Sequence, residues 1–113
     1  MFLPAQLDVL GAEVPWRATI AIGAAGAATL VGLSDPGGAV THDDVGVYTL
    51  TFPASATRFV DGMSADDPTG SLSHAHPHVV ASGTMEVHTE INGTQGDLND
   101  GARVYISLIL RNP

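Results

Sequence analysis

Apolar and polar residues alternate along most of this chain. Over residues 15–22, Trp16, Ala18, Ile20 and Ile22 fall on one side and Arg17, Thr19 and Ala21 on the other. Residues 47–52 repeat the pattern, with Tyr48, Leu50 and Phe52 inward and Val47, Thr49 and Thr51 on the opposite face. Residues 84–91 set Met85, Val87, Thr89 and Ile91 against Thr84, Glu86, His88 and Glu90. A period of two is the mark of a strand with one buried face. Further strands are predicted at 28–33 (after the G-A-A-G turn at 23–26), 40–41, 58–63, 77–81 and 103–110. The breaks between them carry turn chemistry: Ser34-Asp35-Pro36-Gly37-Gly38, a polar loop at 64–73, and Asn92-Gly93. Two of the strands are entered through glycine, G-V-Y-T-L-T-F-P at 46–53 and D-G-A-R-V-Y-I-S-L-I-L at 100–110.

Seven or eight short strands at this spacing predict an all-β chain, a single-domain β-sandwich or jelly roll over residues 15–113. Helix is disfavoured independently. The 113 residues include no lysine, 13 glycines and 7 prolines, and the last two interrupt most windows. No internal repeat stands out.

Two features point beyond a self-sufficient fold. The last strand has Val104, Ile106, Leu108 and Leu110 on one face, yet Tyr105 and Ile109 on the other. A sheet with one solvated face needs a single apolar row. The second row predicts a central position under another layer of the same fold, or a subunit interface. The segment 1–14 is the other feature. Leu3, Leu7 and Leu10 fall at helical spacing after Pro4, with Gly11 as a stop, so this segment reads as a short helix or an extended arm. Either is too short for a core of its own and must pack on its own sandwich or on a neighbour.

The formal net charge of −8 comes from twelve acidic residues against four arginines, which disfavours a phosphate backbone as a direct partner. Cysteine is absent, so there is no disulfide framework and no thiolate metal site. The N-terminus shows neither a basic region nor a long apolar run, so neither a signal peptide nor a membrane span is expected. Asn92-Gly93-Thr94 matches a glycosylation sequon and reads first as a turn.

Candidate chemistry is sparse. Ser73-His74-Ala75-His76-Pro77-His78 places three imidazoles at alternate positions, which on a strand share one face and could ligate zinc or nickel. An H-x-H on a β-sandwich also resembles the cupin metal motif, but the glutamate that motif carries three or four residues later is missing: the next one is Glu86. Pro77 argues instead for a loop end, so no metal or other cofactor is expected. His42 and His88 read as isolated and exposed. Asp43-Asp44 and Asp66-Asp67 are adjacent pairs, and strand neighbours point to opposite faces rather than converging on a substrate. With Asp97, Asn99 and Asp100 they are oxygen donors for calcium, without the closing glutamate of an EF-hand. No nucleophile-elbow or phosphate-cradling motif is present, and the chain is expected not to be an enzyme.

Taken in order, the Trp-started strand, the glycine and alanine hairpin, S-D-P-G, G-V-Y-T-L-T-F-P, T-M-E-V-H-T with G-D-L-N-D-G, and the terminal V-Y-I-S-L-I-L span nearly the whole chain. This order resembles small virion structural proteins of tailed bacteriophages, either capsid decoration (cement) proteins or tail-fibre tip domains. These often carry a G-x-Y-x-x-x-F-P strand and an aspartate-glycine turn before a final apolar strand. The resemblance implies a non-enzymatic β-sandwich, usually a homotrimer, on the outer capsid surface, with the major capsid protein as partner. In that frame Phe2, Leu3, Leu7 and Leu10 are the expected anchor to the shell, and Tyr105 and Ile109 the expected subunit contact. The alternatives are a receptor- or glycan-binding knob using residues 61–78 and Trp16, and, more remotely, a metal-dependent sandwich enzyme using His74, His76 and His78.

Overall fold

The alternating rows assemble into two antiparallel sheets. The computed structural model describes residues 13–33, 38–52, 57–81 and 83–111. One sheet contains β1 (Glu13–Ile22), β2 (Ala28–Val31), β5 (Thr57–Asp66) and β9 (Arg103–Arg111) in the order β2-β1-β9-β5. The other contains β3 (Ala39–Asp44), β4 (Val47–Thr51), β6 (Ser73–Ala81) and β7 (Thr84–Ile91) in the order β3-β4-β7-β6, and β8 (Thr94–Gln95) pairs the end of β7. Tight turns keep β1–β2, β3–β4, β6–β7 and β7–β8 within one sheet, whereas the connections after β2, β4, β5 and β8 switch sheets. The last strand returns to pair with the first along nine residues, from Glu13 opposite Arg111 to Ala21 opposite Arg103.

The core lies between the sheets and is built from their central strands. Trp16, Ala18, Ile20 and Ile22 of β1 and Val104, Ile106, Leu108 and Leu110 of β9 face Tyr48 and Leu50 of β4 and Met85 and Val87 of β7. Full burial of each large side chain contributes on the order of 1.5–3 kcal/mol. Trp16 and Phe52 meet with ring centroids 5.8 Å apart and planes tilted by 50°, tying β1 to the end of β4 across the layer. The inward rows predicted for β1, β4, β7 and β9 are buried, apart from Ile91 at the end of β7, which is half-buried.

Several boundaries differ from the sequence expectation, β2 ending two residues early at Val31. β3 extends through His42-Asp43-Asp44, and β5 continues to Asp66 into the predicted polar loop. β6 begins at Ser73 and runs straight through Pro77, which pairs in register with Val87. Proline is tolerated there because β6 is an edge strand, where a missing N–H can face away from the ladder. β8 was not expected; it follows the Asn92-Gly93 turn, where both residues have positive φ (52° and 82°), as a two-residue hairpin requires. The predicted arm or helix, apart from Glu13 and Val14 in β1, lies outside the described residues, as do its proposed anchors Phe2, Leu3, Leu7 and Leu10. So do Ser34, Asp35, Pro36 and Gly37.

Candidate functional site

Each sheet presents an outer face, and the two faces have different chemistry. On the first, β9 is central between β1 and β5, as its double apolar pattern predicts, and its second row points away from the core. No other layer of the described residues covers it. Tyr105 is 42% exposed and Ile109 half-buried. In register, Tyr105 stands between Thr19 of β1 and Ser64 of β5, and Ile109 lies opposite Pro15.

A β-bulge between Val60 and Gly62 shapes this face. The extra residue, Asp61, bends β5, as bulges do, and its carboxylate accepts a hydrogen bond from Ser107 Oγ at 3.2 Å. A Cβ built on Gly62 would have no neighbour within 4 Å, so the strand leaves open space there. The result is an open depression of about 580 Å³, lined among others by Arg17, Thr19, Gly62, Ser64, Tyr105 and Ser107.

The outer face of the second sheet carries the histidines. Because β6 is a strand through Pro77, His74, His76 and His78 do share one face. The hairpin then sets His74 opposite Glu90, His76 opposite His88, and His78 opposite Glu86. Their rings touch: His74–His76 centroids are 5.5 Å apart, His76–His88 5.7 Å and His78–His88 4.3 Å. His88 Nε2 lies 3.0 Å from Glu86 Oε1, and the His88 side chain is only 14% exposed. His88 is therefore neither isolated nor exposed. Among the described residues, no three His, Asp or Glu side chains converge as a ready-made ligand set.

His42, Asp43, Asp67, Asp97 and Asn99 serve the fold. Asp97 accepts the Gly46 amide at 2.7 Å, sits 2.8 Å from His42 Nε2, and receives a longer 3.4 Å contact from the Tyr48 hydroxyl. His42 also stacks on Tyr48 at 4.8 Å, which corrects its expected isolation. Burial, with the Asp97 carboxylate beside it, pushes the Tyr48 phenol well above its ordinary value. Asp67, 6% exposed, accepts from the Thr69 amide and hydroxyl and from the Asn99 amide and side chain. Burial alone would raise its carboxyl, but the Thr69 and Asn99 donors outweigh it and hold it below the usual range. Asp43 is likewise held low by Thr49 and then Thr41. Asp97 and Asp67 brace turns and crossovers, and Asp43 bridges β3 and β4. Trp16 is fully buried, which removes it as an aromatic platform for a glycan.

The sequence hides the histidine face because Pro77 reads as a loop end, with the strand starting only there. Had it been read as part of an edge strand, the outward row Glu86, His88 and Glu90 would have been matched to His74, His76 and His78 across the hairpin. The bulge at Asp61 has no such local signal beyond the D-G at 61–62. No helix among the described residues is long and apolar enough to cross a membrane. In comparisons with known proteins, the chain matches no family model, no curated protein and no solved structure.

Proposed function

We propose that this chain is a non-enzymatic structural subunit of a tailed-bacteriophage virion, a capsid decoration (cement) protein that binds the outer shell and stabilises it. The observation that carries this reading is the Tyr105–Ile109 row: an apolar strip on the central strand of a sheet face that no described part of the chain covers. A strip of that kind is an assembly surface, since apolar area removed from water contributes about 25 cal/mol per Å². In this reading copies of the chain meet through Tyr105 and Ile109 as a homotrimer, and residues 1–14, with Phe2, Leu3, Leu7 and Leu10, dock on the major capsid protein. The pairing of β1 with β9 supports a jelly-roll-like wrap. The acidic charge suits a position on the outside of the shell, away from packaged nucleic acid. Asp43, Asp67 and Asp97 are engaged in bracing the fold, which also supports a structural role.

The test is co-sedimentation with shells assembled from the major capsid protein encoded in the same genome. Saturable binding at a fixed number of copies per capsomer is expected, and deletion of residues 1–13 abolishes it while leaving the sandwich folded. Undiminished binding of the truncated protein refutes the anchor, and no binding by the full chain refutes the cement role.

The depression beside Tyr105 favours a second reading, a receptor- or glycan-binding knob. An exposed aromatic ring rimmed by Arg17, Thr19, Ser64 and Ser107 is suited to a saccharide, with the ring as platform and the rim supplying hydrogen bonds. Reproducible saccharide capture on a glycan array that is lost in Tyr105→Ala would favour the knob over cement.

A further inference from the structure

We propose that the outer face of β6 and β7 is a metal-binding site for a divalent ion of the zinc or nickel type, with His76, His78 and His88 as ligands and Glu86 orienting His88. The inference is independent of the virion reading.

Backbone register carries the first part of the argument. His76 and His78 are two positions apart on β6 and so project from the same face, while His88 stands directly opposite His76 on β7. Opposed residues on antiparallel neighbours have Cβ atoms about 4.5–5.5 Å apart. Two histidines spaced by one residue plus a third across the ladder thus bring three imidazoles over one small patch of sheet.

Ring spacing carries the second part. With a zinc–nitrogen bond of about 2.0–2.1 Å, imidazoles around a tetrahedral ion have centroids roughly 5 Å apart. The His78–His88 and His76–His88 separations, 4.3 and 5.7 Å, bracket that value. As they stand, the rings pack on one another and the nitrogens do not converge. His78 is exposed and His76 half-buried on an open face, which leaves room for the side-chain rotation that the proposed site requires.

The carboxylate supplies the third part. Glu86 Oε1 already meets His88 Nε2 at 3.0 Å. A carboxylate on one ring nitrogen fixes the ring and raises the basicity of the other nitrogen, the usual support for a metal-bound histidine. His88 would then ligate through Nδ1. His74 is placed differently: it stacks on His76 and lies opposite Glu90, so it is not assigned as a ligand. Three neutral nitrogens without thiolate match a borderline ion rather than calcium or magnesium, which prefer oxygen. The fourth position would face solvent.

The experiment is calorimetric titration of Zn²⁺, and separately Ni²⁺, into untagged full-length protein stripped with a chelator. One ion per chain is expected, with a dissociation constant in the micromolar range or tighter. His76→Ala and His88→Ala each weaken binding at least tenfold, and His74→Gln changes it less than threefold. Glu86→Gln weakens it severalfold. His88→Gln, which keeps a polar side chain of similar length, guards against misfolding and should lose affinity as His88→Ala does. In parallel, side-chain NMR resonances of His76, His78 and His88 should move on Zn²⁺ addition and those of His42 should not. Absence of saturable uptake overturns the site, as does uptake that is insensitive to both His76 and His88 substitutions.

Discussion

The Asp97 carboxylate receives the Gly46 amide at 2.7 Å, joining residues 51 positions apart in the chain. One side chain from the β8–β9 crossover thereby fixes the β3–β4 turn, and through His42 and Tyr48 it reaches both strands of that hairpin. Hydrogen bonds to a charged group contribute about 1.5–3 kcal/mol. Asp97→Ala is therefore expected to lower unfolding free energy by about 2–3 kcal/mol in urea denaturation, with Asp97→Asn losing less. A loss below about 0.5 kcal/mol for the alanine variant would mean that the network is slack.

The same carboxylate restricts the turn between β1 and β2. Gly26 has φ +77°, and a Cβ there would collide with the Asp97 carboxylate. Gly26→Ala combines left-handed strain with a collision and should destabilise by more than the ~1 kcal/mol of a simple glycine replacement. Gly62→Ala is the control. Its added methyl meets nothing within 4 Å, and thermal melts should show a change within about 0.5 kcal/mol.

Asp67 is expected to make the fold acid-sensitive. Its carboxyl titrates below the unfolded value because Thr69 and Asn99 donate to the charged form despite burial. A depressed folded pKa adds stability that is fully present above the unfolded value, about 3.9, and is lost as pH falls through the lower folded one. Stability measured from pH 5 down to pH 2 should therefore fall with acidification. Asp67→Asn should be less stable at pH 7 and show a shallower decline in that window. An unchanged slope would remove Asp67 from the acid response.

Tyr105→Glu tests the outer face of the first sheet, which no described residue covers, without touching the core. The proposed homotrimer should dissociate to monomer in sedimentation while the melting midpoint of the monomer stays within a few degrees. Leu108→Ala, on the same strand but inward and fully buried, should do the reverse. It should cost about 2–5 kcal/mol, the range for a deleted buried leucine. If Tyr105→Glu instead unfolds the chain, that side chain belongs to the fold and the assembly surface lies elsewhere.

How much was legible in the sequence follows from range. Central strands were readable because burial on one face writes a period of two over Trp16–Ile22, Tyr48–Phe52 and Val104–Leu110, and that pattern is local. Asp67 and Asp97 looked like loop acids or calcium donors, since their partners Asn99, Gly46 and His42 are 32 to 55 residues away. His88 was misjudged for a related reason. Its neighbours are fixed by hairpin register, and reading Pro77 as a loop end hides the residues of β6 before it from that register. The depression beside Tyr105 depends on a bulge, and a one-residue insertion leaves the composition of β5 unchanged.

Pro77 has one more effect, on what the molecule avoids. β6 is the outermost strand of its sheet, and at its midpoint the backbone offers no amide to a passing chain. A foreign strand trying to zip along that border would meet a gap in the donor row and could not build an unbroken ladder into a fibril. In the proposed capsid role, where many copies would be packed together, such a blunt margin is an advantage. Replacing Pro77 with valine should therefore leave the fold intact while promoting amyloid-type growth on prolonged incubation, read by thioflavin fluorescence.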